Sequence, residues 1–483
     1  MLRRIFKPKT SIGIIILLGG VACLGSNAWS ASTPKIGYDV AGTNLKSGFA
    51  VASGESPSGG KEKGPSLTLD ACVRIALDKN PSIQAAREGV SAAAEGEGEA
   101  KAPYYPELAL SAGYSRWERH AFLPSGLARP GMPTTIGPTD DWLAGLKARY
   151  ILFDSGERRA KLRAAISAKG AAEGDLARIR QEIALDVHQS YYGLVSALTA
   201  LAVAGKNLAR AEDHLRLARE RKAAGAVPQA DVVRAQARVA EERLALVRVE
   251  NVVRIVRGNL NTAMGLSAEM PTEVDIPSEE IKPAEETDIN RAYDLALRNR
   301  SEIKTARQRV EIAKHVVDAA KSAFGPKVRV EGGYGRQDEN FFPDDKDWMV
   351  GIVVEMPIFT GFSRTHRLGK AKAELLREEA ELERLLQNIR REVWSGDSKL
   401  REAHEAIRAT DILIKEATES VRLSRERYAV GAGTITELLD AQTVLARADA
   451  NRVEAEWNGR IARAAFDHAV GNLLAEMQAI PQP

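Results

Sequence analysis

Two cysteines in 483 residues, Cys23 and Cys72, leave almost nothing from which to build a disulfide framework or a thiolate metal site. Aromatic residues make up only 5% of the chain, few for a thick globular core. The rest is rich in Ala, Leu, Glu and Arg, a mixture that favours long helices. The seven histidines, at 120, 188, 214, 315, 366, 404 and 468, are scattered, with no His-x-x-x-His or Cys–His ligand spacing. Gly19-Gly20 and Gly59-Gly60 lie near the N-terminus, outside any strand-to-helix context, so neither is a phosphate loop. No catalytic constellation is present, and neither an enzyme nor a bound cofactor or metal is expected. An excess of one charge is missing too. Net charge is +3, but Arg3, Arg4, Lys7 and Lys9 supply it, and without them 64 basic residues face 65 acidic ones. Nucleic acid is therefore not an expected partner.

Those four cations precede the one apolar run near the N-terminus, Ile12 to Leu18, continued by Gly-Gly-Val-Ala-Cys-Leu. Ala28-Trp29-Ser30 then offers small residues at the two positions a signal peptidase reads, so residues 1–30 are expected to be a signal peptide. Cys23 leaves a lipid-attachment reading open, although Gly20 stands where a lipobox usually has leucine. Residues 31–65 are Gly-, Ser- and Lys-rich and read as a flexible leader. No later stretch is expected to reach the ~18–20 apolar residues of a spanning helix.

Proline is also absent where it matters. Of 20 prolines, only Pro228 lies between Pro138 and Pro271, and none lies between Pro357 and Pro481. Proline interrupts helices, so these gaps mark rods. Long helices are expected at about 156–224, 228–267, 362–430 and 434–475, the two longest reaching ~100 Å at ~1.5 Å per residue. Rods of that length suit antiparallel pairing. Each pair turns at the same corner: RERKAAGAVPQADVVRAQ from Arg219 returns as RERYAVGAGTITELLDAQ from Arg425. Gly225 and Gly431 fall in register there. Upstream, Ala76/Ala296, Ile83/Ile303 and Gly113-Tyr114/Gly333-Tyr334 recur at an offset of 220, which drops to 206 from Trp142/Trp348 onward. The chain thus reads as a tandem repeat, 66–273 and 274–483.

Four strands, about 104–118, 142–153, 326–337 and 347–359, separate the short helices of each copy from the rods. Leu108, Leu110, Ala112 and Tyr114 alternate with Glu107, Ala109, Ser111 and Gly113. Trp142, Ala144, Leu146, Ala148 and Tyr150 alternate with Lys147 and Arg149, and the second copy repeats this through Val328, Val330, Tyr334, Trp348 and Ile352. An apolar face with aromatics near its ends, opposite a charged face, fits an outer-membrane barrel wall. Tyr114, Trp142, Tyr150, Tyr334 and Trp348 are then the expected lipid-facing aromatics. Four strands cannot close a pore, and an open edge cannot face lipid, so closure demands several chains.

In this order of elements, the chain from Ser66 to about Leu474 resembles the TolC-like outer-membrane factor family. The strand-to-helix corners YILFDSGERR and MPIFTGFSR, and the turn YAVGAGTITELLDAQ, carry the resemblance. It implies a mainly α fold with a small β part: a tandem-repeat α-helical barrel of coiled-coil hairpins, with four β-strands per chain contributing to a trimeric 12-stranded outer-membrane β-barrel. It implies a homotrimer in the outer membrane of a Gram-negative bacterium, with a periplasmic tunnel that docks on a periplasmic adaptor protein and an inner-membrane pump. The implied function is a passive export duct of a tripartite efflux system, with a type I protein secretion channel as the alternative. A non-pore exported coiled-coil protein would explain the rods but not the strands.

The resemblance also places a periplasmic gate at the tip, with Glu437 and Asp440 matching acidic rings, Tyr428 a preceding tyrosine and Asp231 an aspartate after the first turn. Other readings stay open. Thr434-Ile435-Thr436-Glu437 is a capping box, Asp231 suits a helix N-terminus, and Arg219, Arg221, Arg425 and Arg427 suit helix C-termini. Tyr428 also suits simple packing. Where the family places an arginine that links the two hairpins, this chain has Gly433, so little is expected to tie the second hairpin to Asp231. An arginine installed at 433 is expected to restore a charge pair.

Overall fold

The computed structural model describes residues 66–120, 135–277 and 288–474. The expected signal peptide, with Cys23, and the expected leader lie outside them. The chain enters through two short helices, α1 (Leu69–Lys79) and α2 (Pro81–Lys101). Thr68 caps the first by accepting from the Ala71 amide, and Asn80 caps the second, with Pro81 at its first position. Strands β1 (Glu107–His120) and β2 (Thr135–Phe153) follow, then α3 (Glu157–Ala223) and α4 (Gln229–Ala263). The second half repeats the order as α5 (Ile289–Asn299), α6 (Ser301–Ser322), β3 (Lys327–Asp338), β4 (Asp345–Glu355), α7 (Ser363–Ala429) and α8 (Ile435–Val470).

Element ends differ from expectation where local chemistry intervenes. Helices α4 and α8 stop before 267 and 475 because Gly265 and Gly471 take left-handed conformations. The amides of Gly265 and Leu266 return to the carbonyls of Thr262 and Asn261, and those of Gly471 and Asn472 to His468 and Asp467. This is the Schellman ending. The same ending closes α3 at Gly225 and α7 at Gly431. Strand β4 stops at Glu355 rather than near 359, since Pro357 cannot donate to a ladder. Strand β2 starts as early as Thr135 because that residue still pairs with His120.

The four strands form one antiparallel sheet in the order β1-β2-β3-β4. Strands β1 and β4 each pair on one side only. Among the long helices, α3 packs on α4 and α8, and α8 packs on α7. Two cores use matching positions. Ala76, Val187, Leu194 and Leu260 are buried in the first; Ala296, Val393, Leu400 and Phe466 take their places in the second. Part of α3 is long and apolar enough by composition to cross a membrane, where none was expected. Its Val187, Tyr191, Leu194 and Val195 are buried in the first core.

Each passage from strand to long helix is held by an arginine. Arg158 donates to Asp154, to the carbonyls of Ile151 and Leu152 at the end of β2, and to Pro103 O after α2. Its guanidinium also lies 5.0 Å from the Tyr104 ring centre. Arg364 repeats this with Thr360, Ile358 O, Ala323 O and the Phe324 ring. A flat, multi-donor cation is needed to join three elements at once.

Farther down α3, His214 is buried. Burial, followed by the nearby Arg425 charge, pushes its pKa down from 6.5 to about 4. The unfolded chain therefore binds the proton first. Stability is expected to be full above pH 6.5 and to fall as pH drops toward 4, by on the order of 2–3 kcal/mol. Guanidinium midpoints measured across this range should flatten in His214→Gln; an equal slope in the variant would assign the acid sensitivity to other groups.

Candidate functional site

Two features stand out: the tip where the rods turn, and the two faces of the sheet. At the tip, Gly225 and Gly431 have φ of +70° and +79°, the region that glycine enters without steric cost. Ile435 and Leu438 of α8 and Tyr428 of α7 are buried, with Leu217 of α3 and Val227 of the first turn packed on them. The two hairpins thus share one small apolar cluster.

A polar tie crosses the same contact. Arg221, at the end of α3, donates to the carbonyl of Tyr428. Its guanidinium carbon lies 4.6 Å from the centre of the Tyr428 ring. A Cβ at position 431 would stand 3.4 Å from Arg221 Nη2, so Gly431 serves both the turn and the close approach of this arginine. The hairpins are thus joined by a tie that involves neither position 433 nor Asp231, because a long side chain from α3 reaches across. Arg221 caps the neighbouring hairpin's helix rather than only its own. No spacing signal marked it, since the four arginines of the repeated corner look alike in sequence.

Asp231, in the first turn of α4, is buried, with Arg234 at 3.7 Å. The Tyr428 hydroxyl is buried without a well-formed hydrogen bond. Burial raises its pKa, the Asp231 carboxylate beside it raises it further, and Arg221 opposes both. The structure thus brings Tyr428, Asp231 and Arg221 together. Glu437 is placed differently. Thr434 Oγ1 accepts from the Glu437 amide, one half of the capping box. The Glu437 carboxylate, however, points to Arg427 at 4.0 Å. Asp440 is exposed on α8, about one turn further on, with no ion pair among the described residues. Position 433 is crowded: a Cβ there would stand 3.1 Å from Arg427 Cβ and 3.2 Å from Glu437 Oε2. An arginine at 433 would need both neighbours to give by a few tenths of an ångström.

In the sheet, cross-strand partners share a face. The register pairs Leu110 with Leu146, Tyr114 with Trp142, Leu146 with Tyr334, and Tyr334 with Trp348. Tyr150 pairs with Val330 and Val330 with Ile352. All five expected aromatics therefore lie on a single apolar face. Trp348 is 70% exposed and Leu110 84%, values that a packed soluble sheet does not leave on its apolar side. Near one end, Tyr114, Trp142 and Phe341 pack in series, the first pair tilted and the second edge to face, with ring centres 4.4 and 4.8 Å apart. The opposite face carries Glu107, Arg149 and Glu331 side by side across three strands.

The sequence profile described as "Outer membrane efflux protein" matches residues 72–266 and 292–472. The chain is 28% identical over 381 residues to Protein CyaE of Bordetella pertussis, covering 78% of each chain. It is 26% identical over 388 residues to the pyoverdine export outer membrane protein OpmQ of Pseudomonas aeruginosa, covering 78% of this chain and 79% of that protein. Among solved structures, the outer membrane protein VceC of Vibrio cholerae superposes with a TM-score of 0.72 at 21% identity, covering 83% of this chain and 96% of that one.

A charge-assisted bond such as that from Arg221 contributes about 1.5–3 kcal/mol, or tenfold and more in a local opening equilibrium. In Arg221→Ala, amides of residues 428–438 should exchange with deuterium at least about tenfold faster, while the exposed Arg219→Ala leaves them unchanged. Asp231→Asn should act more weakly, since its contact with Tyr428 is poorly formed. Unchanged exchange in Arg221→Ala would show that the apolar cluster alone holds the tip.

Proposed function

The chain belongs to the outer membrane efflux protein family, and we propose that it works as the passive outer-membrane duct of a tripartite export system, with energy supplied elsewhere. It sits in the outer membrane of a Gram-negative bacterium, with its long helices in the periplasm. The carrying observation is the sheet: it is apolar and exposed on one face, charged on the other, and unpaired along both β1 and β4. In lipid an unpaired edge costs several kcal/mol per orphaned group, so these edges must be satisfied by other copies of the chain.

We propose a homotrimer, twelve strands in all, closed by pairing β1 of one chain with β4 of the next. The helices support the same arrangement, because α4 and α7 flank the row α4-α3-α8-α7 and both expose apolar side chains along one side. On α4 these are Val233, Leu244 and Ile255, about three turns apart, and on α7 Leu376, Trp394 and Ile412, about five turns apart. A periplasmic adaptor and an inner-membrane pump are the partners the family reading supplies. Relatives named for pyoverdine export and toluene efflux favour small-molecule cargo over protein. Transport rather than catalysis is the reading we adopt. The repeat units 66–273 and 274–483 then each contribute one hairpin and two strands.

At the tip, Arg221 and Tyr428 tie the hairpins together with Asp231 beside them, while the exposed Glu437 and Asp440 of three chains face a narrow opening. Like charges gathered there attract cations and repel one another.

Trimer closure is tested with cysteines placed along β1 and β4 and a short bismaleimide. Cys72 will compete little, since burial pushes its thiol pKa up to about 11. Covalent trimers are expected in detergent; a stable folded monomer would overturn the reading.

The gate is tested by conductance in planar bilayers. Wild-type trimers should be cation-selective and blocked by divalent ions, and Asp440→Asn with Glu437→Gln should reduce both effects several-fold. Selectivity that survives the double substitution would place the selective ring elsewhere.

A further inference from the structure

Where the charged face of the sheet meets the first strand-to-helix corner, the surface opens into a cleft of about 460 Å³. The end of β2, the start of β3 and the first turns of α3 form its walls. Five cations line it, namely Arg149, Arg158, Lys161, Lys327 and Arg329, against two carboxylates, Asp154 and Glu157. Their commitments differ. Arg158 is fully engaged by Asp154 and the corner carbonyls. Arg329 lies between Glu331 and Glu355, at 2.7 Å from each. Glu157, by contrast, must serve two lysines at once, Lys161 at 2.7 Å and Lys327 at 2.5 Å.

Among the described residues Arg149 makes one ion pair, with Glu331 at 3.5 Å from Nε, and Glu107 stands across from it on β1. The side chains of Arg149 and Lys161 are more than 60% exposed, so their donors remain accessible. The backbone amides that open α3 add partial positive charge at the same place. Pro103 and Ile151 supply apolar wall beside these cations.

This surplus belongs to the first corner alone. At the matching positions of the second half, Glu355 stands for Arg149 and Ser363 for Glu157, while Glu107 is the first-copy counterpart of Lys327. A generic basic collar beneath a barrel would repeat in both copies; here the sign changes.

We infer that this cleft is a binding site for amphiphilic anions, molecules that join an aryl or alkyl body to a carboxylate, sulfonate or phosphate. The acid group is held by Lys327, Lys161 and Arg149, and the apolar body lies against Ile151 and Pro103. That the cleft opens into the export path rests on the duct reading, and anionic amphiphiles then become a cargo class of this channel. A duct site must bind well enough to admit its cargo and weakly enough to release it. Exposed, partly shared cations meet that requirement better than a sealed pocket.

The test uses the full-length protein in detergent and naphthalene-2-sulfonate as probe, titrated by calorimetry beside inorganic sulfate and the matched cation 2-naphthylmethylammonium. Saturable binding of the sulfonate is expected, weaker binding of sulfate and none of the ammonium. Arg149→Gln with Lys327→Gln should weaken sulfonate binding at least about tenfold, in keeping with the loss of two charge-assisted contacts. Lys161→Gln, at an exposed helical position, should act in the same direction by a smaller factor and secures the result if the double variant fails to assemble. Equal binding of sulfonate and ammonium, or unchanged affinity in Lys161→Gln and the double variant, would overturn the site. Conductance separates the two readings. Trimers that conduct but show no preference for the sulfonate overturn the site and leave the duct standing. Protein that binds the sulfonate through these residues yet never conducts supports the site and overturns the duct.

Discussion

Backbone groups along β1 and β4 have partners on one side only, and every larger feature answers to that shortage. In water an open edge is tolerable, but in hydrocarbon it is not, because no solvent replaces the missing hydrogen bonds. The exposed apolar face, with Leu110, Tyr334, Trp348 and Ile352, places this sheet in hydrocarbon. Closure through further copies then satisfies the edges and brings the charged face, with Arg149 and Glu331, to the inside. The edge helices α4 and α7 carry the same demand into the rods, as apolar side chains that none of the described residues covers.

Two copies of one plan supply the parts, and their differences are as informative as their matches. The carbonyls of Ala263 and Ala469 occupy matching places at the ends of α4 and α8. Asn80 donates to the first and Arg300 to the second. Asparagine keeps its junction neutral. The buried arginine brings in Glu302 and Glu392, at 2.7 and 2.6 Å, because a buried charge must be paired. The arginine corners at Arg158 and Arg364 stayed alike, whereas the charges around them diverged. Geometry is shared where the chain must change from strand to helix, and charge varies where a surface is left to meet something else.

At the tip, one residue type does different things in one motif. Arg427 turns back on its own loop, to Ala432 O and Glu437. Arg221, its counterpart, crosses to the other hairpin. The difference follows from what lies opposite. Tyr428 offers a ring and an accessible carbonyl, whereas its counterpart Lys222 offers neither a ring nor a compact side chain.

Much was written in the sequence. Alternation along LALSAGY and WLAGLKARYIL fixed which residues share a face, because a strand has period two and no other register keeps every apolar residue together. Proline gaps marked the rods, and the recurring glycines marked their ends. The tandem order led to the family. Periodicity, however, reports neighbours along a chain and is silent about which side chain reaches across to another element. That Arg221 rather than a residue at 433 joins the hairpins, that the Glu437 carboxylate turns to Arg427 while its amide stays with Thr434, and that Glu157 is shared by Lys161 and Lys327 were decided only by tertiary packing. Such contacts depend on side-chain length and on the distance between helices far apart in sequence, and neither quantity is encoded in any local pattern.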